Sequence, residues 1–287
     1  MGLSFAFLAL VAWGVGDFLI QKSTRRFGNW QALFFITALG TIVLFPFVAK
    51  DLPALWTSSK ELILLTATSF IIFLAALFDF QALRVGKISI VEPVFALEVP
   101  ITALLAGFIL HEHLTLVQIL LVVLVILGIF LVSTKHLKFY KEMKWEKGVQ
   151  FALLATVGMG LTNFFIGISS RVTDPLMINW FLSLFIFIAC LIFLTISGEW
   201  RKTLDHWRTE KRLIFSVGII DNTAWVAYAY STLYLPIAIA VSISESYIAL
   251  AALLGIFLNH EKLKKHQYLG LIITVVAVVL LARITEM

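Results

Sequence analysis

Apolar residues fall into ten long runs separated by short polar stretches. Each run approaches the roughly 20 residues that an α-helix needs to cross a bilayer. They predict spans near 3–21, 30–49, 62–83, 88–110, 115–133, 147–168, 175–196, 213–235, 238–258 and 266–284. The longest polar stretches, 133–146 and 198–212, leave no room for a soluble domain. In the first, Lys135, Lys138, Lys141 and Lys144 alternate with Phe139, Tyr140 and Trp145, and the second holds Trp200, Trp207 and five basic residues. Both read as strips at the level of the lipid headgroups.

The stretch from Ser89 to Leu114 departs from simple hydrophobicity. It carries Glu92 and Glu98 together with Pro93 and Pro100. An acid inside a span faces a protein interior or a water-filled cavity, and a proline there frees a backbone carbonyl that needs another partner. Acid and broken helix together point to the wall of a central cavity. The stretch also has an echo. A shift of 149 places Phe108–Leu114 (FILHEHL) on Phe257–Leu263 (FLNHEKL) and Gln118 on Gln267. Glu98 then falls on Tyr247, two residues from Glu245, while Thr102 and Ala106 fall on Ala251 and Gly255. Near the starts of the halves, Gly14–Phe18 matches Gly160–Phe164 at an offset of 146. The chain is therefore expected to be two copies of one unit: a first five-helix repeat over 1–134, a basic linker over 135–146 and a second repeat over 147–287. Five is odd, so the copies enter the membrane with opposite polarity. The expected fold is all-α and polytopic, ten transmembrane helices in an inverted five-plus-five repeat, with a binding site between the halves.

Composition supports that reading. Hydrophobic residues make up 61% of the 287 and charged residues 14%, against about a quarter in a soluble domain. Cys190 is the single cysteine, which excludes a disulfide framework and a cysteine metal site. The first run holds Asp17, has no basic residue before it and no cleavage pattern after it, so it reads as a retained helix. Of the 22 Lys and Arg residues, 18 lie in the loops after spans 1, 3, 5, 7 and 9. By the positive-inside rule those loops are cytoplasmic and both termini lie outside the cell membrane.

Certain short motifs carry a family likeness: Trp13-Gly14, Ala82-Leu83-Arg84, Glu92-Pro93, Glu112-x-Leu114 and Glu261-x-Leu263, on the duplicated unit. With them the chain resembles the drug/metabolite transporter superfamily, in particular its ten-helix EamA type, over nearly its whole length. The resemblance implies a carrier of small metabolites (amino acids, other organic solutes, nucleotide sugars in distant branches), often a proton-coupled exporter. It also implies cytoplasmic termini, opposite to the charge count.

Six acids lie in or near the spans: Asp17, Asp79, Glu92, Glu98, Asp221 and Glu245. Lys22, Arg84 and Lys87, the basic residues nearest them, sit at span ends, so the interior is net acidic. An acid removed from water favours its neutral form, which suits exchange of a proton for a cation. Glu98 and Glu245 are expected to face the cavity from opposite sides. Asp221, Trp225 and Tyr228 share one helical face, as do Trp13 and Asp17, and acids beside aromatic rings suit an ammonium group. Core packing explains the same stripes equally well. Asn163 and Asn222 offer hydrogen bonds, and Ser242 is either a ligand or bonded to its own helix. Asp79 and Glu92 read as a salt-bridge clamp with Arg84 and Lys87, and Glu112 and Glu261 as caps for the helices that follow them. Pro93, Pro100 and Pro236 are candidate flex points. His111-Glu112-His113 lacks the i, i+4 spacing of a helical metal pair.

The expected function is secondary transport of a small polar metabolite, best an amino acid or amine. Access alternates around a cavity lined by spans 1, 3, 4, 6, 8 and 9, with protons as coupling ion. A uniporter or exchanger for neutral or anionic solutes and a non-transporting scaffold are the alternatives. No cofactor, catalytic set or nucleic-acid motif is expected, and the partners are the substrate and the bilayer, with the chain a monomer or weak homodimer.

Overall fold

The structure, a computed structural model, describes residues 1–86, 91, 94–134, 148–250 and 264–286. Glu92, Pro93, Lys87, Glu261 and the basic linker lie outside these residues. Within them the chain is helical, with no strand. The helices are α1 (Gly2–Phe27), α2 (Asn29–Val48), α3 (Leu52–Thr57), α4 (Ser59–Val85), α5 (Glu98–Ile109), α6 (Leu116–Ser133), α7 (Gly148–Val172), α8 (Pro175–Ile196), α9 (Trp200–Thr209), α10 (Lys211–Tyr234), α11 (Ile237–Ser244) and α12 (Lys265–Glu286). Helices α1, α2, α4, α6, α7, α8 and α12 are long and apolar enough to span a membrane, while α5 and Ile237–Leu250 are shorter apolar pieces. Helix α10, 24 residues long, is the eighth span and carries Asp221 and Asn222 at its middle. Large apolar side chains such as Ile63, Phe108 and Leu116 lie bare on the outer surface, as lipid requires.

Local chemistry explains the helix ends. Helix α1 runs past its apolar stretch to Phe27, because Arg25 and Arg26 in its last turn complement the carbonyl end of the helix dipole. Gly28, at φ 94°, is the single residue joining α1 to α2. Asp174 caps α8 by accepting from the N–H groups of Leu176 (2.7 Å) and Met177 (3.3 Å), with Pro175 at the first helical position. Thr115 and Gln118 form a reciprocal capping box at the start of α6.

The halves interlock span against span. Helix α1 packs along α10 and α4 along α7, so span 1 meets span 8 and span 3 meets span 6. Helix α2 packs on α8, α5 on α11 and α6 on α12, each span on its own counterpart. Exchanging the halves leaves this pattern unchanged, which is the signature of a pseudo-two-fold axis. Atomic detail repeats as well: Arg25 Nη2 donates to the carbonyl of Gly86 (3.3 Å) and Arg171 Nη2 to that of Leu235 (3.2 Å). The short helices α3 and α9 also occupy equivalent places, between the second and third spans of each half. Trp200 and Trp207 of α9 turn inward onto Phe34, Phe35 and Phe215, so this polar stretch lies against the bundle.

Where helices must touch without a hydrophobic driving force, small residues set the distance. A Cβ on Gly270 of α12 would lie 2.6 Å from Leu131 Cβ and 2.7 Å from the Gly128 carbonyl oxygen of α6. Gly270→Ala is expected to force α6 and α12 apart at a cost of about 1–2 kcal/mol, seen as a lower midpoint of thermal unfolding. An unchanged midpoint would show that this contact does not hold the pair.

Candidate functional site

Spans 4 and 9 are both broken near the membrane centre, at equivalent places. In span 4 the break falls at Ala96–Leu97, and in span 9 at Glu245–Ser246, an offset of 149. The causes differ. Pro100 has no N–H to give the Ala96 carbonyl, and α5 restarts at Glu98 with the proline in its first turn. In span 9 no proline is involved. Ser242 and Ser244 turn their hydroxyls onto the carbonyls of Ala238 (2.7 Å) and Ala240 (2.8 Å), and Ser246 onto that of Ile243 (2.6 Å). Such back-bonding competes with the helical ladder and bends it. Pro236 instead sits at the start of α11, so it begins the helix rather than flexing it.

The breaks deliver two acids to one cavity of about 100 Å³. Asp17, Asp79, Glu98, Asp221 and Glu245 line it, and among the described residues no Lys or Arg does. Glu98 occupies the first turn of α5, where the free N–H groups of a helix start favour a carboxylate. The Tyr247 hydroxyl donates to Asp17. Asn163 Nδ2 donates to Glu245 Oε1 (3.4 Å). Trp13 and Trp225 also line the cavity, edge to face with centroids 5.2 Å apart.

The lining comes from the later parts of α1 and α4, the early parts of α2 and α8 and the middles of α7 and α10. Glu98, Asp221 and Glu245 therefore lie near the midplane and Asp17 and Asp79 toward the end of the bundle that carries the odd-numbered loops, with Asn179 on the other side of the midplane. Toward the other end, the contact between α7 and α10 is filled by side chains. Tyr228, fully buried, donates to the Asn163 carbonyl (3.1 Å), and Ser170 Oγ lies 2.8 Å from Thr232 Oγ1.

Several sequence expectations change here. Asp79 faces the cavity, and Arg84, its expected partner, is exposed, with no ion pair between them among the described residues. Ser242 is bonded to its own helix and stands behind the lining, as do Tyr228 and Asn163. Spans 2 and 7 join the expected six, contributing Thr37, Asn179 and Ser183. Asn179 and Ser183 lie four residues apart on one face, a polar pair inside an apolar run that the sequence displays. Asn222 lines the cavity too, donating to the carbonyls of Ile36 (3.0 Å) and Gly218 (2.7 Å) and accepting from Ser183 Oγ (3.5 Å).

Glu112 was expected to cap α6, but the capping box there is built by Thr115 and Gln118. Glu112 reaches across to the second half. Its Oε1 accepts from Arg171 Nη2 (2.7 Å) and from the Ile237 N–H (2.8 Å), and its Oε2 from the Ala238 N–H (3.3 Å). It thus caps α11, the helix that ends at Glu245. Arg171 also donates to the Thr232 carbonyl (3.3 Å), so one acid ties the end of span 4 to spans 6, 8 and 9.

A model of the EamA-like transporter family matches residues 1–134 and 146–283. The chain belongs to this family. The chain is thus a multi-pass membrane transporter of small molecules. An uncharacterized protein of Methanocaldococcus jannaschii is 30% identical over 129 residues, 45% of this chain and 93% of that protein. That relative is about as long as one half of the transporter. A solved crystal structure, 13% identical, superposes with a TM-score of 0.72 over 99% of this chain and 97% of that one. At that identity the likeness speaks to the fold, which the two share from end to end.

Proposed function

We propose that the transporter exports a small organic cation, an amino acid or amine, in exchange for protons. The observation that carries this reading is the ring of five carboxylates around one cavity whose lining, among the described residues, holds no basic residue. Negative groups in a low-dielectric enclosure repel one another and attract a cation strongly. They are relieved by protons or by an ammonium group, and each displaces the other. Trp13 and Trp225 add ring faces to the same wall, and Thr37, Asn179 and Ser183 supply neutral hydrogen-bonding groups for the rest of a polar solute.

The direction rests on charge and on closure. Asp17 and Asp79 lie toward the loops that hold 18 of the 22 Lys and Arg residues, which the positive-inside rule makes cytoplasmic. The far end is closed by Glu112, Arg171 and the packed residues around Tyr228. Loading from the cytoplasm, closure beneath the substrate and opening of the Glu112 contact complete an export cycle. One chain encloses the cavity, so the cycle needs no second copy.

Calorimetric titration of the purified transporter with methylamine, amino acids, organic anions and nucleosides, at pH 6 and pH 8, tests the reading. Protons and amine compete for the same carboxylates, so amine affinity is expected to rise with pH. Binding of anions or nucleosides with no amine binding at either pH would overturn it.

A further inference from the structure

A second cavity, about 260 Å³, lies beside the acidic one between α1, α2 and α10. Its walls are almost wholly apolar, with Leu8, Val43, Ile219 and Val226 among them. Leu8, Val43 and Ile219 are 45%, 50% and 56% exposed on the outer surface of a membrane bundle, so the cleft opens toward lipid. At one end Phe5 stacks on Tyr230 with centroids 5.0 Å apart. The lining comes from the first turns of α1 and the later part of α2. The cleft therefore lies on the opposite side of the midplane from Asp17 and Asp79.

The two spaces meet at one side chain. Asn222 lines both. Its amide is seated where Gly40 has no side chain: a Cβ on Gly40 would lie 2.1 Å from Asn222 Oδ1 and 2.6 Å from Ser183 Oγ. Asn222, bonded to the Ile36 and Gly218 carbonyls, thus stands between a strongly acidic chamber and an apolar cleft. Charge on one side of Asn222 and hydrocarbon on the other match a molecule with one cationic and one apolar end.

We propose that the cleft receives the apolar tail of the transported cation, which makes the preferred substrate an amphiphilic amine. Its ammonium group sits among the five carboxylates and its tail passes Asn222 into the cleft. The inference rests on the cation reading of the acidic cavity and adds the tail.

A homologous series of primary alkylamines, from methylamine to octylamine, tests it by calorimetry on the transporter in phosphatidylcholine nanodiscs, with heats from empty nanodiscs subtracted. Affinity is expected to rise with chain length by up to about fourfold per methylene. Thr223→Phe, which places a ring in the cleft, is expected to flatten that rise while methylamine keeps its affinity. Val43→Phe approaches from the opposite wall and is expected to do the same if the first variant folds poorly. A rise that survives both substitutions would place the tail elsewhere and overturn the proposal. Equal affinity along the series in the wild type would also overturn it, leaving the cleft to a lipid chain while the cation reading stands. Failure of methylamine itself to bind would overturn both.

Discussion

Glu245→Gln is expected to weaken amine binding by tenfold to a hundredfold and to flatten its dependence on pH. The loss corresponds to one charge-assisted hydrogen bond, about 1.5–3 kcal/mol. Glutamine keeps the shape of the side chain and still accepts from Asn163 Nδ2, so the fold is expected to survive. Glu245 is chosen among the five because its burial is deepest and its place most constrained. It is 8% exposed, it ends α11 at the break in span 9, and three serines around it hold that break open. The pH effect separates binding from mere packing. A carboxylate that holds either a proton or the amine links the two ligands, and the linkage disappears with the carboxylate. If the glutamine variant binds amine with unchanged affinity and unchanged pH dependence, Glu245 has no part in recognition.

Glu112→Ala is expected to lower stability by about 2–3 kcal/mol. The substitution removes an ion pair and the cap of α11 in one step. Stripping the partner from a buried charge costs about 3–5 kcal/mol, and a lost cap about 1 kcal/mol. The sum is reduced because the Arg171 side chain is 36% exposed and keeps the Thr232 and Leu235 carbonyls. Thermal unfolding measures that loss. The gating role needs a second readout, taken from Glu112→Gln, which keeps the bulk and drops the charge. Thr232 is fully buried behind this contact. In a background of Cys190→Ala, Thr232→Cys is expected to react faster with a membrane-impermeant thiol reagent once Glu112 is glutamine. Equal reaction rates with either residue at position 112 would mean that the contact is structural only and the exit lies elsewhere.

Glu112 also shows where reading a chain without its fold runs out. A carboxylate just ahead of a helix is a reasonable cap for that helix, since both are near in sequence. Its real partners are 59, 125 and 126 residues away, on helices brought to it by the pairing of the halves. Asp79 teaches the same lesson. Arg84, one turn and a residue further on, offered a local partner. Rotation of α4 against α7 instead turned Asp79 inward and left Arg84 outside. Asn179 and Ser183 were visible as a polar pair, but nothing local said that their face of α8 pointed to the centre.

The chain by itself determined that this is a membrane protein, that it is duplicated and inverted, and where its interior acids lie. Those properties are written in features that survive without contacts: the length of apolar runs, a repeat at a fixed offset, and the penalty for a charge in hydrocarbon, which holds wherever a span packs. The tertiary structure decided which acids share a cavity, which end of the bundle is closed, and that an apolar cleft lies behind Asn222. These are relations between spans. Rotation of a helix about its axis is set by ridges, small residues and partner carbonyls on its neighbours, and a single helix carries no record of the neighbours it will meet.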